Sequence, residues 1–219
     1  MNRCGSCTAL ATVLWLAGCV NTSVEQLRQS PPGAALATDE SVVVLGRSQQ
    51  GEYRTEGGFT QCVADRMDGP DLPVTPAQTF NDRLFPWFEP RTAPQNVDDL
   101  RRLLDDPLIA QRLQQNPVRY LVWIDGTTRD TDSGGSMGCA VGPGGGGCLG
   151  FAWWEKNAAF EASVWDVTRA AEVGRVSVDA SGTSYMPAVI VPVPLLARTE
   201  AAACSGLGDQ LRELLVPGE

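Results

Sequence analysis

The chain predicts an α/β (α+β) fold in which helices pack on a mixed, largely antiparallel sheet. Three observations carry that expectation. β-branched runs such as Val42-Val43-Val44-Leu45 mark buried strands, and the first half otherwise carries apolar residues at helical intervals. The second half is instead a succession of strand-like segments, and a final stretch returns to helical spacing. With 43% apolar residues, 23 Gly and 15 Pro in 219 residues, the composition suits a loop-rich globular domain rather than a helical bundle or a disordered chain.

Residues 41–46 open the fold as a strand that ends at Gly46. Phe59, Cys62, Val63 and Met67 recur at helical spacing, which puts Cys62 on the inward face of a short helix. Thr75-Pro76-Ala77-Gln78 matches a capping box with Pro at the first helical position. The helix it opens bears Phe80, Leu84 and Phe88 and should stop near Pro86. Asn96 can cap a helix bearing Leu100, Leu103 and Leu104. Asp106-Pro107 is a break and restart, continued by Leu108, Ile109 and Leu113. Residues 119–125 form a strong strand, and the polar, glycine-rich stretch 126–147 interrupts it as an excursion. Strand material resumes at 149–154 and continues through 160–167 and 173–178 as an antiparallel meander. Beyond the Pro-rich residues 187–194, Cys204, Leu207, Leu211 and Leu214 describe a closing helix with Cys204 facing inward.

At the N-terminus, the apolar residues 8–16 lead into Leu16-Ala17-Gly18-Cys19. That run is too short for a bilayer, which needs about 20 apolar residues, so it reads as a removable signal. Small residues before a cysteine at such a boundary resemble the lipobox of bacterial lipoproteins. The resemblance implies a signal peptide over 1–18 and Cys19 as the first mature residue, with a diacylglyceryl thioether and an acylated amino group. Two or three chains, at about 0.8 kcal/mol per buried methylene, make a stable anchor in the lipid bilayer. Val20, rather than Asp, after Cys19 favours the outer membrane, on its inner leaflet facing the periplasm. Residues 19–39, polar and without apolar period, read as a lipidated flexible tether, and 40–219 as a single globular domain.

Export accounts for the cysteines. Cys4 and Cys7 fall in the segment to be removed, leaving Cys62, Cys139, Cys148 and Cys204 behind Cys19. Cys139 and Cys148 flank a glycine-rich loop, so local closure pairs them and leaves Cys62 with Cys204. Chain entropy would give those loops at most about 3 and 5 kcal/mol. A Cys4 zinc site is the rival, without the short knuckle spacing zinc usually takes.

Several chemistries are disfavoured. The chain contains no histidine, which removes the usual general base and the commonest transition-metal ligand. Its formal net charge is −9 with no basic stripe, so nucleic acid is not an expected partner. Gly134-Gly135-Ser136-Met137-Gly138 satisfies G-x-S-x-G, but that motif needs a strand-to-helix elbow and a His. A Ser-Lys pair could use only Lys156, the single lysine. No Gly-Lys-Ser/Thr follows the glycines at 142–147, so they are a hairpin tip rather than a phosphate cradle. No cofactor or catalytic residue is assigned. A stapled glycine loop loses less entropy on binding, so Gly144 and Gly145, with Trp153 and Trp154 just beyond, are candidates for a partner-binding edge. The alternative divides the two indoles between core and sheet surface.

The strand 120–125, the glycine-rich excursion 133–147, and 160–178 with Val164-Trp165-Asp166-Val167 before a turn together resemble periplasmic lipoprotein domains of the CsgG type. LpoB and the N-terminal domain of TolB are more distant relatives of similar fold. Here the turn reads Thr168-Arg169-Ala170-Ala171-Glu172, without the glycine usual in that family. The resemblance implies a domain that binds other envelope proteins, with a homo-oligomer allowed. The function expected is a non-catalytic binding or assembly component. The alternatives are a subunit of a CsgG-like secretion assembly, for which only 126–154 could supply barrel strands, and a periplasmic serine hydrolase. A concave, buried acidic or serine cluster would favour the hydrolase.

Overall fold

The computed structural model of the protein describes residues 20–28, 36–47, 55, 57–89, 92–192 and 196–216. The lipobox and Cys19 lie outside them. Along the described residues the elements are β1 (Val20–Arg28), β2 (Ser41–Gly46), α1 (Gly57–Met67), β3 (Val74–Thr75), α2 (Ala77–Arg83), α3 (Val97–Leu104) and α4 (Pro107–Gln114). There follow β4 (Val118–Gly142), β5 (Gly145–Asp166), β6 (Ala171–Pro192) and α5 (Thr199–Leu215). The strands form one mixed six-stranded sheet in the order β1-β6-β5-β4-β2-β3, so the fold is of the mixed α/β class that the sequence predicts. β2 runs parallel to both β3 and β4, in register Val42 with Val74 and Val42 with Tyr120. The two-residue connection from β4 to β5 can join only antiparallel neighbours.

Strand alternation explains how the sheet is covered. Val43 and Leu45 of β2, with Leu121, Trp123 and Trp165, pack against Phe80, Leu84, Phe88, Leu100, Ile109 and Leu113 of the α2–α4 region. The opposite face meets α1 and α5. Phe59 of α1 stacks on Phe160 of β5 with ring centroids 3.6 Å apart, and Gly206 of α5 lies against Val178 of β6. The helix starts are set locally. The Asn96 side chain accepts from the Asp99 amide at 2.9 Å, and Asp106 accepts from the Leu108 amide at 2.8 Å with Pro107 beginning α4.

Cys62 and Cys204 form a disulfide that ties α1 to α5, and Cys139 and Cys148 form a second across the β4–β5 hairpin. With all four thiols bridged, none remains as a thiolate for a Cys4 zinc site. Cys62 is exposed rather than inward, because Phe59, Val63 and Met67 take the core stripe of α1 and leave position 62 on its flank, toward α5. The same two helices share the Arg66 to Asp209 ion pair at 2.7 Å. The guanidinium's hydrogen bond holds the Asp209 carboxyl below the usual carboxylate range.

Four expectations are corrected. Thr75 does not cap α2: its hydroxyl meets that of Ser41 at 2.8 Å across β3 and β2, and Pro76 is the N-cap without a side-chain bond. Residues 126–142 are not a loop but the continuation of β4, since backbone pairing with β5 overrides the low strand propensity of glycine. Residues 20–28 are not tether but an edge strand beside β6; edge strands with one open side need no apolar alternation. β6 also runs through the Pro-rich stretch as far as Pro192.

The chain divides into two compact units. The helical unit comprises the described residues of Thr22–Thr128, Ala158–Ala180 and Glu200–Glu219. The hairpin unit comprises those of Met1–Asn21, Arg129–Asn157 and Ser181–Thr199. The division follows from the hairpin: the residues expected to loop pair with each other instead. Among the described residues no helix is long and apolar enough to cross a membrane.

Candidate contact surfaces

In the helical unit, α2–α4 cover only part of their side of the sheet. Beyond Trp123 and Trp165 the strands present Asp125, Glu161, Ser163, Arg175, Ser177 and Asp179 to a groove of about 590 Å³. Arg47, just past the end of β2, closes one end. Its guanidinium stands 5.1 Å from the Trp123 ring centroid and 5.3 Å from that of Trp165, and donates to Gln95 Oε1 at 3.3 Å. Burial lowers the Arg47 pKa, with the Asp125 charge opposing that shift. Arg175 donates to Glu172 at 2.5 Å and Glu161 at 3.3 Å; the Glu172 hydrogen bond, the largest influence, raises its pKa. Gly126 is required here: its φ is +144°, and a Cβ on it would stand 2.2 Å from the Ala159 carbonyl oxygen. The groove is the concave serine and acid cluster that a hydrolase would need. It is not buried, since Glu161 and Asp179 are exposed and Glu161 is engaged by Arg175.

In the hairpin unit, alternation along β5 puts Leu149, Phe151 and Trp153 on one face. Phe151 meets Tyr185 of β6 with centroids 5.8 Å apart, and Trp153 lies over Gly134, where a Cβ would stand 3.0 Å from the indole nitrogen. Leu149 is 73% exposed and Phe151 45%, while Val141 on the other face of the hairpin is 92% exposed.

No protein-family model matches the chain, and no curated protein matches it. Solved structures do. The PelC dodecamer from Paraburkholderia phytofirmans is 16% identical with a TM-score of 0.39, over 89% of this chain and 98% of that one. A single-residue variant of the same dodecamer gives 16% and 0.37, over 90% and 97%.

The structure places the expected contact residues as follows. Gly144 sits in the exposed turn and Gly145 begins β5 with φ at +125°. Trp153 and Trp154 point to opposite faces and both are half-buried, so neither is a core residue. Ser136 is exposed in mid-strand, not on a strand-to-helix elbow. Gly150 lies against Ser136 and Met137, so Ser136 is opposite Phe151, five residues or about 17 Å along β5 from Lys156. Lys156 pairs with Asp130 at 3.7 Å instead. The sequence reading missed the groove, whose members come from β4, β5, β6 and the residues just after β2 and just before α3. The only sequence signal for it was polar residues at alternate positions, Glu161, Ser163, Arg175, Ser177 and Asp179, in strands otherwise apolar.

Proposed function

We propose that the chain is an acylated lipoprotein of the bacterial envelope, anchored through Cys19 in the outer membrane and facing the periplasm, and that it works by contact rather than by chemistry. The observation that carries this reading is the exposed apolar pair Leu149 and Phe151, with half-buried Trp153, on a hairpin cross-linked by Cys139 and Cys148, beside exposed Tyr185 of β6. A sheet held by a staple offers such a face with little ordering entropy left to lose. Two tests bear on it. Mass spectrometry of the mature protein should find Cys19 carrying acyl chains, with Cys19→Ala unprocessed; an unmodified Cys19 overturns the anchor. Deleting residues 141–147, or opening the staple with Cys139→Ser and Cys148→Ser, should impair function, whereas Ser136→Ala should not. Loss of function from Ser136→Ala or Lys156→Ala in a folded, membrane-bound protein would favour the hydrolase.

A second reading, a subunit of a CsgG-type secretion assembly, is supported by the length of the hairpin strands, 25 residues in β4 and 22 in β5, where a loop was expected. Its test is conductance of the purified protein across planar bilayers.

A further inference from the structure

The hairpin unit brings together two stretches without charge. Residues 133–154 and 180–197 contain no Asp, Glu, Lys or Arg, in a chain of which 20% is charged. The first holds Val141, Leu149, Phe151, Trp153 and Trp154, and the second holds Tyr185 and Leu196, the latter 61% exposed. A solvated sheet face normally carries polar side chains, whereas this one turns Leu149 and Phe151 to water and has no charge beside them. Val20, the residue that follows Cys19, packs inside this same unit. The Val20 side chain lies 3.2 Å from where a Cβ on Gly182 of β6 would stand, and β1 of the sheet begins at this residue.

We propose that the hairpin unit docks on the bilayer that receives the acyl chains, with Leu149, Phe151, Trp153 and Tyr185 seated at the boundary between headgroups and acyl chains. This rests on the reading of Cys19 as the lipid anchor. Aromatic rings with polar tips favour that depth. The backbone fixes how deep the unit goes: β2 pairs with β4 only as far as Ile124, so among the described residues the outer edge of β4 beyond it has no partner strand. Unpaired N–H and C=O groups cannot enter hydrocarbon, so a single copy lies at the interface and does not cross. The charged residues near the ends of these stretches, Arg129, Asp130, Asp132, Glu155, Lys156, Asp179 and Arg198, are three positive and four negative, with no basic excess. The contact is therefore apolar and needs no anionic lipid.

The test uses the full acylated protein in phosphatidylcholine vesicles containing lipid brominated either near the headgroup or deep in the acyl chain. Tryptophan emission is compared with that of a Trp153→Phe, Trp154→Phe variant, which supplies the background from the other indoles. Shallow bromines should lower the difference signal about twofold, as befits indoles at headgroup level. Deep bromines should lower it less, and neither high salt nor added phosphatidylglycerol should change it. Leu149→Asp with Phe151→Asp should abolish the quenching while flotation with the vesicles, which reads the anchor, persists. A wild-type protein that floats without quenching overturns the docking and leaves the anchor standing. Stronger quenching by deep bromines overturns it in favour of spanning strands. Shielding of the indoles without lipid that grows with protein concentration overturns it in favour of a second copy. If Cys19 proves unmodified, quenching at excess lipid still supports the docking, and its absence overturns docking and anchor together.

Discussion

Asp166 is the most constrained charge among the described residues. It is 1% exposed at the end of β5, accepts from Arg119 Nη2 at 3.0 Å, and accepts from the Arg169 amide at 2.9 Å, which closes the turn into β6. Burial, the largest influence on Arg119, opposes its charge, but Asp166, Tyr120 and Glu40 together raise its pKa. Removing the carboxylate leaves a guanidinium only 15% exposed with Glu40 at 3.4 Å as its remaining acid, and an amide in the turn without its acceptor. Asp166→Ala should therefore cost about 3 kcal/mol, read as a lowered urea midpoint at unchanged slope. A change below about 0.5 kcal/mol would mean that water replaces the carboxylate. The sequence gives no sign of this pair, because Arg119 and Asp166 meet only after β4 and β5 have paired. The Asn96 and Asp106 caps were legible because each acts within three residues of itself. Thr75 was misread for the converse reason: a local cap and a distant hydroxyl competed for it, and Ser41 won.

At the scale of elements, helices were read more accurately than strands. Apolar residues at helical spacing give α1 and α5 directly, and a breaker residue at Pro107 gives the α3 to α4 boundary. The lengths of β4 and β5 were hidden, since glycine reads as loop unless a facing strand holds it, and that strand is not a local feature. β1 was hidden because an edge strand can be polar on every side. The pairing of α1 with α5 was foreseeable only through cysteine count. Their contact is close: a Cβ on Gly208 would stand 2.7 Å from the Arg66 side chain, and the Arg212 guanidinium donates to the Met67 carbonyl at 2.7 Å. The bridge closes a loop spanning 142 positions, so its loss should destabilise more than that of the hairpin bridge, which spans nine. Cys62→Ser with Cys204→Ser is expected to cost about 4 kcal/mol, measured by denaturant unfolding against the wild type. An equal or larger loss from Cys139→Ser with Cys148→Ser would overturn the chain-entropy account.

At the scale of the whole molecule, the two units separate what holds the fold from what is offered for contact. The helical unit owns the buried apolar residues of α1–α5 and the central sheet, whereas the hairpin unit is mostly exposed along β4 and β5. Stability should therefore be uneven, because local opening is easiest where few apolar side chains are buried. Amide exchange gives the expected outcome. Opening the staple with Cys139→Ser and Cys148→Ser should speed exchange over residues 133–154, while residues 158–167 and 173–180, whose side chains meet the helices, keep wild-type protection. The contact surface would then be a lightly stabilised part of the fold that depends on a local cross-link and leaves the helical core intact when it opens. Exchange rising equally in both sets would show instead that the chain opens as one cooperative body, and the hairpin could not then be varied for function without weakening the core.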